Sequence, residues 1–181
     1  QLQSSAASDV YKRQLAFGVI SIREVYKAIE RKKMSLNEID PSRRSGWGRS
    51  LKSYASRLRW HCHFIQKLED EPRIETENLH PSFDGIREPF FDLNLFEAWK
   101  SGNTGYPMVD ACMKALIATG WINFRMRAML TSFASYHLWL HWRETSLWLA
   151  RLFTDYEPGI HYSQIQMQSG TTGINSVRIY N

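Results

Sequence analysis

The run Thr104-Gly105-Tyr106-Pro107-Met108-Val109-Asp110-Ala111-Cys112-Met113, continued by Ala118-Thr119-Gly120-Trp121 and by Phe124-Arg125-Met126-Arg127, decides the fold class. Gly102 to Gly105 reads as a turn. Pro107 then stands just inside a helix start and Gly120 just past its end, the asymmetry expected of a helix bounded by residues that suit each terminus. Between them Met108, Ala111, Cys112, Ala115 and Leu116 share one face. From Ile122 to Leu140 the chain is apolar on most sides, through Phe124, Met126, Met129, Leu130, Phe133 and Tyr136. That pattern predicts one long helix in the centre of the protein.

Working outward, the helical signals continue. Ser21-Ile22-Arg23-Glu24 is a capping box, a serine followed three residues later by glutamate, and opens a helix through about Ile29. Residues 31–59 are dominated by Arg and Lys, and their first part reads as a solvated basic linker broken by Pro41, Gly46 and Gly48. Leu51, Tyr54, Leu58, Cys62 and Ile65 recur at spacings of three and four, which predicts a helix from about Ser50 to Leu68. Residues 70–92 carry Pro72, Pro81, Gly85 and Pro89 and read as an ordered loop. Short helices are expected from Leu95 to Lys100 and from Arg143 to Phe153. From Pro158 onward the Gly, Ser, Thr and Gln content predicts loop. No alternating pattern is long enough to build a sheet, so the expected architecture is all-α.

Apolar residues make up 43% of the 181 and aromatics 13%, enough for a core. The net charge of +5 points to an anionic partner, such as nucleic acid or a phosphorylated cofactor, or to a merely basic surface. Cys62 and Cys112 form no disulfide framework and have no second cysteine at metal spacing. With no apolar run of about 20 residues and no leader-like opening, they place the expectation in a reducing, cytoplasmic setting. Asp9 to Gln14 back-translates into a sequencing-library adapter. Residues 1–14 are therefore set aside as an artefactual or disordered tail, and the domain is expected over 15–181.

Arg125 and Arg127 need an explanation inside so apolar a run. A buried arginine costs several kcal/mol unless it is paired and hydrogen-bonded, by roughly the penalty known for isolated buried charges. Either both snorkel at the helix edges, or both turn inward to hold an anionic cofactor. The motifs quoted above resemble the signature run of the cryptochrome/photolyase family: T-G-[YFI]-P-x-[VI]-D-A-x-M-R, then T-G-W, then N-R-x-R. Leu15-Ala16-Phe17-Gly18-Val19-Ile20-Ser21 resembles the family's L-A-x-G-x-[IL]-S, and Arg178-Ile179-Tyr180-Asn181 its R-[IV]-[FY]-N. The matches run in family order.

The resemblance implies part of a helical FAD-binding domain. It also implies light-driven electron transfer from reduced flavin to a pyrimidine lesion flipped out of UV-damaged DNA. On the matching positions it implies His61, Phe124, Arg127 and Asp155 as cofactor contacts, with Asp155 pairing Arg127. Arg57, Trp60, Asn123 and Arg125 become DNA contacts, Trp60 by stacking, and Trp142 a member of an electron relay. Departures mark a divergent branch. Arg57 replaces a glutamate, His61 an arginine, and Phe124 an asparagine. The other relay positions fall at Ser163–Gln164 and Pro89. Three readings follow: a photolyase-like carbon–carbon lyase, a cryptochrome-like photoreceptor without repair, or a cofactor-free basic helical module that binds nucleic acid. No metal site is expected, because His61 and His63, two apart, do not share a helical face. His161 reads as a loop histidine.

Overall fold

The structure is a computed structural model that describes residues 12–44, 46–176 and 179. Among them there is no strand, and eight α-helices carry the fold. A short helix, α1 (Lys12–Ala16), straddles the boundary expected after residue 14. Residues 1–11 and most of the Arg178–Asn181 match lie outside the described residues.

α2 (Ile22–Asn37) begins on the expected capping box: the Ser21 hydroxyl accepts from the Glu24 amide and the Glu24 carboxylate accepts from the Ser21 amide. It does not stop near Ile29. Arg, Lys and Met are good helix formers, Glu30 pairs with Lys33 at 2.7 Å, and Leu36 extends the buried face begun by Val25 and Ile29. The linker is thus shorter than expected. α3 (Trp47–Asp70) starts on Gly46, whose φ of 73° is the left-handed conformation glycine adopts freely. α2 and α3 share a small core of their own, made by Val25, Ile29 and Leu36 against Leu51, Ala55 and Leu58.

The 70–92 segment is an ordered loop, as expected, tightened into 3-10 turns at Pro72–Glu75, Pro81–Phe83 and Glu88–Phe90. α4 (Leu93–Ser101) and α5 (Pro107–Thr119) follow. The Thr-Gly-Tyr-Pro run explains itself locally. Asp110 accepts from the Thr104 amide at 2.8 Å, the Thr104 hydroxyl at 2.6 Å and the Gly105 amide at 3.0 Å, locking the turn onto the first turn of α5.

The long helix expected over 122–140 is divided. α6 (Phe124–Ser132) is capped by the Asn123 side chain and passes into a π-turn at Phe133–His137. The chain then reverses through Trp139, whose φ of 55° is unusual for a bulky residue. α7 (Trp142–Leu152) follows.

The largest correction concerns the segment after Pro158. It forms a helix, α8 (Pro158–Ser169), with Pro158 in its first turn and Gly170 in the left-handed conformation at its end. The helix is buried on most sides, by Gly159, His161, Tyr162, Ser163, Ile165, Gln166, Gln168 and Ser169, and packs on α3, α6 and α7. It has no apolar stripe because it has no solvent side, and its polar residues bond inward. Gln166 donates to the carbonyls of Ile74 at 2.9 Å and Glu77 at 2.8 Å, and accepts from the Leu79 amide at 2.7 Å and the Thr171 hydroxyl at 3.0 Å. Gly159 lets α8 touch α3, since a Cβ there would stand 2.7 Å from the Phe64 carbonyl oxygen.

Replacing Gln166 by Leu would keep the volume and strand those loop groups. At about 1–3 kcal/mol for each buried group left unpaired, the variant should lose at least about 3 kcal/mol in chemical denaturation. A loss under about 1 kcal/mol would show that the amide is not what ties the loop to α8.

Candidate functional site

The site is built where α6 meets the segment between α7 and α8. Asn123 accepts from the Met126 amide and sets the helix start. One turn on, Arg127 points inward. Its Nε donates to the Ile122 carbonyl at 2.8 Å, its Nη1 to the Asp155 carboxylate at 2.9 Å, and its guanidinium carbon lies 4.1 Å from the centre of the Phe153 ring. The Asp155 side chain is 1% exposed and that of Arg127 17%. So buried an ion pair persists only because it is also hydrogen-bonded and stacked. Arg127 Nη2 is buried without a partner.

Arg125 behaves differently. Two residues along a helix are about 200° apart, so Arg125 is exposed where Arg127 is half-buried and turned inward. The reading in which both guanidinium groups turn inward is corrected to one. Phe124 is 43% exposed at the same helix start. A cleft of about 280 Å³ opens beside it between α5 and α6, lined by Cys112, Trp121, Ile122, Asn123 and Met126; Arg127 is not on its wall.

His61, on α3, lies with Nε2 2.7 Å from the Glu157 carboxylate, both side chains under a fifth exposed. The contact is off the axis of a hydrogen bond, and both ring nitrogens are buried without one. Trp60 is 58% exposed and leans on His63 and Phe64, and Arg57 is exposed three residues before it. Trp142 stands elsewhere, fully buried in the main core, its indole donating to Asn78 at 2.7 Å. The structure therefore brings Arg127 and Asp155 together and sets His61 beside Glu157, two residues from Asp155. It gives Trp142 other partners.

Three neighbours were not singled out by sequence: Phe153 beneath Arg127, Glu157 against His61, and His161 as an interior group. Glu157-Pro158 carried the available signal, an acidic residue directly before a proline that opens a helix. His161 is a helix residue in the interior, not a loop one. Its Nε2 donates to the Ser146 carbonyl at 2.9 Å amid Phe153, Tyr156 and Tyr162. Burial, helped by Arg127 and opposed by the Ser146 carbonyl and Asp155, pushes its pKa down to about 4. Among the described residues no group of three His, Cys, Asp or Glu could hold a metal ion.

Residues 54–181 match the sequence family described as the FAD binding domain of DNA photolyase. This chain belongs to that family. Its all-α fold agrees. A bacterial class III photolyase from Agrobacterium tumefaciens superimposes with a TM-score of 0.78 at 27% identity, over 95% of this chain and 34% of that one. The deoxyribodipyrimidine photo-lyase of Streptomyces griseus is 31% identical over 138 residues, 76% of this chain and 30% of the relative. Cryptochrome-1 of Arabidopsis thaliana is 31% identical over 156 residues, 83% of this chain and 21% of the relative. The chain thus spans about a third or less of each of these photolyases and cryptochromes. Within the family's FAD-binding domain, Arg127, Asp155 and His61 all fall in the matched part.

The buried histidine makes stability depend on pH. Unfolded, its ring takes a proton near 6.5; folded, not until about 4. Between these values the unfolded chain binds more protons, so stability falls as pH drops from about 6.5 to about 4, by on the order of 3 kcal/mol. Denaturation at stepped pH should show this slope, and His161→Gln, with an amide nitrogen for Ser146, should flatten it. An equal slope in both proteins would assign the effect to other groups.

Proposed function

We propose that this chain is part of an FAD-dependent, light-driven photolyase-like protein, a carbon–carbon lyase in its full form, acting on UV-damaged DNA. The observation that carries the reading is Arg127: a half-buried guanidinium held by buried Asp155, with its buried Nη2 left for a further partner. An unpaired donor in the interior costs free energy unless a ligand completes it. The residues therefore fit an anionic, polar cofactor. Other buried atoms without partners, the His61 ring nitrogens, Ser163 Oγ and Gln164 Oε1, supply more donors and acceptors.

When bound, reduced FAD supplies photoexcited electron donation to a pyrimidine lesion. The chain's own residues do the rest. Arg127 offers fixed positive charge where an anionic cofactor must be stabilised, at no cost of reorganisation. Asp155 and the Ile122 carbonyl hold that charge in one rotamer. His61, with Glu157 beside it, would reach the same cofactor from α3, and Phe124 from the start of α6. Trp60, exposed on α3, offers a face on which an extruded base can stack. Exposed Arg57 and Arg125, and Asn123, would position the surrounding strand. Trp142 has no exit to solvent of its own, so any electron transfer through it passes to another aromatic side chain.

A cryptochrome-like photoreceptor that binds FAD and repairs nothing is the second reading. The absence of tryptophan at Ser163, Gln164 and Pro89, and Arg57 in place of a glutamate, favour it. Two half-buried or buried free thiols suit a reducing, cytoplasmic location. No helix among the described residues is long and apolar enough to cross a membrane.

The intact gene product should purify yellow, and Arg127→Ala should lower its flavin content several-fold by absorbance while leaving the helical spectrum intact. Unchanged flavin would remove Arg127 from the cofactor site. Dimer-containing oligonucleotides cleared under blue light would select the repair enzyme; yellow protein that leaves them intact would select the photoreceptor.

A further inference from the structure

Arg87 is another cation drawn into the protein, and unlike Arg127 it has no counter-charge. It is 7% exposed, it forms no ion pair among the described residues, and its Nε is buried without a hydrogen bond. The adjacent acid is engaged elsewhere: the Glu88 carboxylate accepts from the Arg87 amide at 3.0 Å and lies 3.3 Å from His141 Nε2. What surrounds the guanidinium is aromatic. Its central carbon lies 5.3 Å from the centre of the Tyr136 ring and 4.9 Å from that of Trp139. Burial pulls its pKa down, opposed by Tyr136 and Glu88. Contacts of a cation with ring faces offset only part of what it costs to take the charge out of water.

The backbone that presents these rings is unusual too. Tyr136 belongs to the π-turn, a form met mostly as single turns at functional sites. Trp139 holds its left-handed φ of 55°, where a bulky residue is strained. The Tyr136 hydroxyl lies against Gly170, where a Cβ would overlap it, and it is buried without a hydrogen bond. The surface here is apolar. Trp139 is 42% exposed, and Ile86 and Phe90, which flank Arg87 on the 3-10 turn that it caps, are 37% and 67% exposed. An arginine set among exposed aromatic and apolar side chains is the composition found at the centre of protein–protein contacts. The rings supply area, and the desolvated guanidinium supplies one strong directional bond.

We infer that the Arg87–Tyr136–Trp139 cluster docks an acidic segment of a partner protein, one carboxylate pairing with Arg87 while apolar neighbours cover Trp139 and Phe90. The charge that Arg87 lacks defines the partner, and the planar fork of a carboxylate matches a guanidinium. Nucleic acid is disfavoured. One cation beside an acidic Glu88 does not follow a phosphate chain, whose binding needs positive charge repeated along it. The cluster sits on the loop before α4 and on the π-turn, and the inference does not rest on flavin.

The test selects a display library of short random peptides on the intact gene product, with the Arg87→Met protein as counter-selection. The peptides recovered should carry Asp or Glu among apolar residues. By fluorescence anisotropy their affinity should fall at least about tenfold for Arg87→Met and for Trp139→Gly, and equally when the peptide's acid is exchanged for its amide. Glycine adopts the φ of Trp139 without strain, so that variant removes the ring and keeps the turn. Because a buried charge without a partner destabilises, the melting midpoint of Arg87→Met should hold or rise. A fall of several degrees would make Arg87 a structural cation and overturn the inference. So would a selection that yields nothing, peptides without acid preference, or equal binding to the variants. Displacement of the peptides by an oligonucleotide would give Arg87 to nucleic acid instead, and a native dimer that Arg87→Met splits would seat a second copy there; either result overturns the assignment. Flavin content should be the same in Arg87→Met as in the native protein. A colourless native protein that still selects acidic peptides would defeat the flavin reading and leave this one standing.

Discussion

The fold depends on burying a helix that has no apolar face. α8 is surrounded by α3, α6 and α7, and a helix in that position must satisfy its side chains from within. Gly159 removes the one Cβ that would hold α3 away. Gln166 commits its whole amide to the loop of residues 74–79 and to Thr171. Ser135 and Ser169 bond across the contact between the π-turn and the end of α8 at 3.0 Å. Such a network is cooperative: complete, it selects one arrangement, and with a member missing it leaves costly orphans.

That arrangement places the buried charges. The turn that leads into α8 carries Phe153, Asp155 and Glu157, and it can reach Arg127 and His61 only because α8 lies between α6 and α3. The ion pair is thus a consequence of the packing. In turn it restricts the packing, since moving α8 away would leave a carboxylate that is 1% exposed without its counter-charge. The same enclosure accounts for His161, whose ring is held neutral by burial and by its neighbour Arg127.

Much of the architecture is legible in the chain. The capping box at Ser21, the proline and glycine that bound α5, and the apolar spacing of α3 are local signals whose physics acts within one or two turns, and each produces its element. The departures have one cause, tertiary packing that a local pattern does not register. α2 runs past Ile29 because helix propensity and one further buried leucine outweigh a run of charge. The helix expected over 122–140 is divided because a π-turn and the reversal at Trp139 answer to neighbouring helices. α8 resembles loop in the sequence because periodicity detects a helix by its contrast between wet and dry sides, and this helix has none.

For the site, the sequence alone flags Arg125 and Arg127 alike, as cations inside an apolar run, and it is the family pattern that picks out Arg127 and attaches Asp155 and His61 to it. It also places the chain among photolyases and cryptochromes, because three motifs in order are a property of the string of residues. Only the tertiary structure could decide that Arg127 turns in while Arg125 turns out, that Glu157 stands against His61, and that His161 is sealed among aromatic rings. Those facts depend on which helix lies across from which. Contacts between residues 28 or 96 positions apart, as in Arg127 with Asp155 or His61 with Glu157, exist only once the chain has closed on itself.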